Sequence, residues 1–384
     1  MLRKLYFLSI FLCILINLFI LPVKVFGVAP PGISAKSAVV IDVETGQVLY
    51  DKHMHVKSFP ASLTKVLTTI VALQEGNIND IVKVSRKAAY QEGSSIYLKE
   101  GEELKLEELL YGVMLASGND ASVAVAEHVG GSVEEFAELM NKKAESMGAL
   151  NSNFVNPNGL PDTNHYTTAY DLGMIMRTAL KNEAFRQISG TKKKTISWPG
   201  NDWGRGLRNH NKLLWSYDDI TGGKTGYTRA AGRCLLASAK RDGREVVAVV
   251  LNDSNDWLDI RNLLDYGLDN YKRVNVVEKG DKVYSMPWEE SREGDLGLIA
   301  GESIFVLVPK DGEKITLKKQ LYLKPELQLP INKGDIMGYL KIINKEGNTV
   351  GQVELLAFND LTYNSVFLRF WHWLNTIGRS EEHR

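Results

Sequence analysis

Three short motifs in a fixed order constrain this chain more than any other feature: Ser62-Leu63-Thr64-Lys65, then Ser117-Gly118-Asn119, then Lys224-Thr225-Gly226. They bring together two hydroxyls, two amines, an amide and a glycine-flanked strand, the set that opens an acyl–amide bond through a serine ester. Such a set works only if the fold carries these distant segments to one place. The first motif alone says little, because a second Ser-x-x-Lys stands at Ser189-Gly190-Thr191-Lys192. Context separates the two. After Pro60-Ala61, the apolar residues Leu63, Val66, Leu67, Ile70, Val71 and Leu73 recur with helical spacing. Ser62 is therefore expected at or near a helix N-terminus, with Lys65 on the same face one turn on. Ser189 instead leads into Lys192–Pro199, expected as a strand or an exposed loop.

The other motifs have their own settings. Residues 103–147 carry a mostly helical pattern, with Leu104, Leu109, Leu110, Val113 and Met114 on one stripe. Ser117-Gly118-Asn119 interrupts it, which predicts a turn between two helices. Residues 151–162 are rich in Asn, Pro and Gly and predict a loop; 167–180 return to helix. From Thr221 the period is two, and 224–228, 232–240 and 245–251 predict consecutive antiparallel strands. With the hairpin expected over Ser37–Lys52, they predict one sheet, one face of which the middle helices cover. Residues 257–271 predict a closing helix. Short strand-like runs follow from about Val274 to Phe358.

A serine hydroxyl is a weak nucleophile until a base takes its proton. Lys65 does that only when neutral, and both burial and a nearby cation, here Lys224, push a lysine that way. Backbone N–H groups at a helix start face developing negative charge. Ser117 is placed to relay a proton between Lys65 and a leaving amine. Asn119 has both a donor and an acceptor for a substrate amide. Lys224 and Thr225 offer a carboxylate site, and Gly226 leaves room for an acyl group against the strand. A phosphate-binding loop at Gly223-Lys224-Thr225 is excluded: it needs glycine where Asp218 stands and a helix after the lysine.

This constellation resembles the serine D-alanyl-D-alanine carboxypeptidases, the low-molecular-weight penicillin-binding proteins. The likeness extends through residues 34–52, Phe59–Lys65, Leu115–Ala121, Asn156–Asp162, Gly222–Thr228 and Leu327–Asp335. It implies an α+β penicillin-binding/β-lactamase-like transpeptidase fold: an antiparallel sheet covered by helices, a helical subdomain, a small all-β domain and a C-terminal amphipathic helix. It also implies removal of the terminal D-Ala from peptidoglycan stem peptides, trapping by β-lactams, and no cofactor or metal. By resemblance Ser62 is the acylated nucleophile, Lys65 its base, Ser117 and Asn119 the second motif, and Lys224, Thr225 and Gly226 the substrate-binding strand. Backbone N–H groups of Ser62 and Tyr227 form the oxyanion hole. Tyr227 stands where the family often has histidine. The Gln91–Ser95 segment is expected to rim the cleft. A β-lactamase shares the motif set but needs a carboxylate for deacylation, and the 156–168 loop holds Asp162 without a Glu-x-x-Leu-Asn pattern. A non-catalytic cell-wall or membrane scaffold is the third reading.

The expected organisation is an export signal over residues 1–29, a catalytic domain over 30–273, an all-β domain over 274–360 and a tail over 361–384. Arg3 and Lys4 precede a long apolar run, and Val25-Phe26-Gly27 offers small residues for cleavage. Phe367, Phe370, Trp371, Leu374 and Ile377 make one apolar face, suited to lying on the outer face of the cytoplasmic membrane. The formal net charge of +0 gives no case for nucleic acid. Cys13 falls in the signal, so Cys234 is left as a packed thiol. His53-Met54-His55 and His165 are read as exposed and structural histidines respectively.

Overall fold

The computed structural model describes residues 29–310, 316–345, 347 and 349–364. All but the last residue of the signal expected over 1–29, and the tail helix expected from Ser365 to Ile377, lie outside the described residues. The rest divides into two units, Ala29–Asn270 and the stretch from Tyr271 onward.

In the first unit the alternating segments form a five-stranded antiparallel sheet. Its order is Val48–Lys52, Ser37–Asp42, Arg244–Leu251, Gly232–Arg241 and Ile220–Thr228. The lysine of the third motif therefore sits on an edge strand, with Lys224 opposite Leu236 and Gly226 opposite Cys234. Strand Ser37–Asp42 is buried along its whole length, because helices cover both faces. Gly173, on helix Ala169–Ala179, lies against Val39 and Ile41, while Gly267, on helix Asp256–Asp269, lies against Val40 and Val246. Neighbouring strand residues point to opposite faces, so the two helices sit on opposite sides. The cover is thus wider than the single face expected from the middle helices alone.

Helix Thr64–Glu75 is enclosed by helices Leu106–Leu115, Asn119–Gly130, Val133–Ser146, Ala169–Ala179 and Glu183–Gly190. Thr64 through Ala72 are all buried, so even its polar positions are interior. One expectation changes here. Glu103–Lys105 is a short strand paired with Ile81–Lys83, not the start of a helix. Ser189 lies in helix Glu183–Gly190, fully buried, with its hydroxyl donating to Arg186 O, and leads into a strand, one of the two forms expected for Lys192–Pro199. The amphipathic pattern of Phe185 and Ile188 carries the helix through that serine; the strand begins only at Lys193.

The second unit is all β among its described residues. Strands Lys282–Met286, Leu296–Ala300, Thr349–Ala357, Ile336–Ile343 and Lys318–Leu323 form one antiparallel sheet in that order. Tyr271–Val277 pairs with Ile304–Pro309. Leu296, Leu298, Leu340, Ile342 and Leu355 are at the centre of its own core.

Candidate active site

Ser62 sits in a 3-10 turn, Ala61–Leu63, that runs straight into helix Thr64–Glu75. Ala61 has φ of 49°, a left-handed conformation that a non-glycine residue holds only under surrounding constraint. The 156–159 loop supplies that constraint. Gly159 has φ of +84°, and a Cβ there would lie 1.8 Å from Ala61 O. Thr68 donates to Pro157 O at 2.6 Å. Behind the turn, Thr64 Oγ1 donates to Ala61 O at 3.0 Å and receives from His165 Nε2 at 2.9 Å. His165 Nδ1 accepts from Val155 N–H at 3.1 Å, which places the proton on Nε2. Burial lowers the His165 pKa to about 4, so the ring is neutral at neutral pH. His165→Ala would orphan both partners, and we expect a loss of about 1–3 kcal/mol in stability, read from the denaturant midpoint. An unchanged midpoint would contradict this role.

Lys65 and Lys224 are both buried. Lys65 Nζ lies 3.1 Å from Ser62 Oγ, 2.7 Å from Asn119 Oδ1 and 2.7 Å from the Asn158 carbonyl oxygen. The last two can only accept. A neutral amine has two N–H donors and one lone pair; the two carbonyls take the donors, and the lone pair faces the serine hydroxyl. Burial first, then the neighbouring charge of Lys224, hold the Lys65 pKa well below the ordinary lysine value, with Asp120 opposing. Lys224 is itself lowered to about 7 by burial. Its Nζ donates to Ser117 Oγ and Thr225 O, both at 3.0 Å.

The second motif differs in detail from its expected use. Ser117, with φ of 60°, turns the chain between helices Leu106–Leu115 and Asn119–Gly130. Its hydroxyl is tied to Lys224 rather than to Lys65. Asn119 does not present a free amide: its Oδ1 holds Lys65, and its Nδ2 donates to Glu92 O at 2.6 Å. It braces Lys65 against the 91–95 loop, leaving one N–H unused. Asp120 pins the same loop, accepting from Ser95 Oγ at 2.6 Å and from the N–H groups of Ile96 and Leu98.

Edge strand Ile220–Thr228 closes the site. A Cβ on Gly226 would lie 3.2 Å from both Ala61 Cβ and Ser62 N, so the missing side chain is what lets strand and turn approach. The Tyr227 ring is exposed. The adjoining pocket, ≈ 710 Å³ in volume, is lined by Ser62, Ser94, Ser117, Thr225, Gly226 and Tyr227, with His210, Lys212, Arg233 and Trp257 farther out. Cys234 lies at its wall, buried, its thiol raised to about 11 and so inert. All eight expected site residues thus meet around Ser62. Sequence reasoning missed the Asn158 carbonyl, Asp120, His210 and the outer cations. Only the Asn156-Pro157-Asn158-Gly159 turn cluster signalled the first of these; the others carry no pattern of their own.

Comparison with known proteins gives concordant matches. A family profile described as D-alanyl-D-alanine carboxypeptidase matches residues 24–255, and one described as the penicillin-binding protein 5 C-terminal domain matches 271–363. The D-alanyl-D-alanine carboxypeptidase DacF of Bacillus subtilis is 36% identical over 85% of this chain and 86% of its own. DacA of Haemophilus influenzae is 31% identical over 91% of each. The crystal structure of penicillin binding protein 5 from Haemophilus influenzae superposes with a TM-score of 0.73 at 29% identity, covering 88% of this chain and 100% of that one.

Proposed function

The chain belongs to the D-alanyl-D-alanine carboxypeptidase family, and on that premise we propose how its own residues remove the terminal D-Ala from peptidoglycan pentapeptides. Ser62 Oγ attacks the carbonyl carbon of the penultimate D-Ala while its proton passes to Lys65 Nζ. The carbonyl oxygen, now negative, is held by the backbone N–H groups of Ser62 and Tyr227. The C–N bond breaks, and the departing amine takes the proton that Lys65 received, relayed through the Ser117 hydroxyl, which Lys224 holds in place. Water then hydrolyses the Ser62 ester. The leaving D-Ala carboxylate lies toward Thr225 and Lys224, with Lys212 adding positive charge at the same pocket, where Arg233 is paired with Asp256 at 3.8 Å. A β-lactam presents the same carbonyl and carboxylate, but its leaving amine stays tethered, so the ester persists. The observation that carries this reading is the Lys65 coordination: two acceptor-only carbonyls and one hydroxyl at 3.1 Å. Asp162 supports no β-lactamase alternative, since its Oδ1 accepts from Asn164 N–H within its own loop.

Acylation on this account needs Lys65 neutral and Lys224 charged. The free-enzyme rate, kcat/KM, therefore rises as pH increases through the depressed Lys65 pKa. It falls again as Lys224 loses its proton near about 7. A bound substrate carboxylate favours charged Lys224, so the alkaline limb of kcat lies at higher pH than that of kcat/KM. Steady-state profiles on diacetyl-Lys-D-Ala-D-Ala measure both; an alkaline limb identical in the two would contradict Lys224 as carboxylate partner.

We also place this enzyme outside the cytoplasm, on the outer face of the cytoplasmic membrane. The basic-then-apolar start of the chain and the apolar face of the 365–377 segment support this. Truncation after Asn364 is expected to leave D-Ala release intact and to abolish sedimentation with anionic vesicles; sedimentation of the truncated protein would contradict it.

A further inference from the structure

A second pocket, ≈ 760 Å³ in volume, is lined by residues shortly before the nucleophile turn and just after the edge strand, and none of the chemistry above uses it. Lys36, Lys52, His53 and Lys57 line it, with Phe59 and Ala231 toward the site. No carboxylate is among the described lining residues, although the chain as a whole has equal numbers of acidic and basic groups. The acids beside them in sequence or space are hydrogen-bonded, two of them to the lining residue Ser34. Asp51 accepts from Met54 N–H at 3.0 Å, and Asp253 and Asp259 both accept from Ser34. Lys36, His53 and Lys57 are exposed; Lys57 rides over the Tyr166 ring at 4.1 Å, and Lys52 donates to Ile33 O.

Position says what this pocket meets. Phe59 precedes Ser62 by three residues, and Ala231 follows the Gly226-Tyr227 edge at the turn out of the strand. The leaving D-Ala occupies the first pocket, at Thr225 and Lys212. Strand Ile220–Thr228 is at the sheet edge, where an extended peptide adds by backbone pairing. A substrate so aligned runs its acyl side past Tyr227 toward the basic pocket. At about 3.4 Å per residue, a group two or three residues ahead of the scissile bond is roughly 7–10 Å along.

We propose that this pocket receives the acyl arm of the stem peptide and that its cations recognise a free carboxylate borne there, favouring acidic over amidated stems. This rests on the carboxypeptidase reading. The test uses two full-length pentapeptides ending in D-Ala-D-Ala that differ only in a carboxylate or carboxamide on that arm. At low ionic strength the acid is expected to have about tenfold higher kcat/KM, carried mainly by KM, and the advantage shrinks as salt screens it. The exposed double substitution Lys36→Ala/Lys57→Ala brings the two substrates to parity. Equal kcat/KM for acid and amide in the unmodified enzyme, or a preference that survives in the double variant, overturns the inference. A capped dipeptide lacking the arm, and benzylpenicillin, report the underlying activity separately. Silence with both would remove the carboxypeptidase reading and this inference with it, whereas dipeptide turnover and benzylpenicillin acylation with no acid preference remove this inference alone.

Discussion

Lys65→Ala is expected to lower the rate at which benzylpenicillin acylates the protein by about 10²–10⁴-fold, the range for loss of a positioned general base. Ser62 would keep its place, because the turn is held from behind by Thr64 and His165 and from the side by Gly159. Binding and oxyanion donors also remain, so residual acylation is slow rather than zero. What is lost is the lone pair at 3.1 Å from the hydroxyl. The substitution also strips a partner from Asn119 Oδ1 and from the Asn158 carbonyl, so a modest fall in stability accompanies it. Stopped-flow acylation of folded variant separates the two effects. A near-normal acylation rate would mean that another group activates Ser62.

Gly159→Ala is expected to cost about 2–5 kcal/mol and to depress acylation as well. Two terms add. At φ of +84° an alanine is strained whatever the space, and its Cβ would fall 1.8 Å from the Ala61 carbonyl oxygen. That neighbour is backbone, so no rotamer relieves the clash. The loop or the turn must move, and the turn carries Ser62. The same loop supplies the Asn158 carbonyl that orients Lys65. A melting curve and an acylation trace on one preparation check both. Gly243→Ala serves as a control, since its φ of +80° imposes similar strain with nothing within 4 Å of the added Cβ. If Gly159→Ala behaves like Gly243→Ala, the loop does not press on the nucleophile turn.

Much of this site was legible in the sequence because each motif carries its own local signal. The apolar period after Ser62 identified a buried helix, the break at Ser117-Gly118-Asn119 a turn, and the alternation after Thr221 a strand. Other parts depend on contacts between distant segments. That Asn119 is engaged at both ends of its amide follows from the placement of Lys65 and Glu92, neither of which is near it in sequence. That Ser117 pairs with Lys224 depends on how the edge strand meets the helical region. The setting of Ser189 has a local cause: Phe185 and Ile188 set a short amphipathic helix that carries it, and the lysine run from Lys192 leads into the strand that follows. The backbone carbonyl of Asn158 is invisible to any reading of side chains, yet it completes the coordination that favours a neutral Lys65.

The central claim is that Ser62, activated by Lys65, forms the covalent ester. Mass spectrometry of the protein after reaction with benzylpenicillin, followed by peptide mapping, tests it most directly. The account predicts a single adduct on the peptide carrying Ser62 and none in Ser62→Ala. An adduct on another residue, or one that persists in Ser62→Ala, would contradict it.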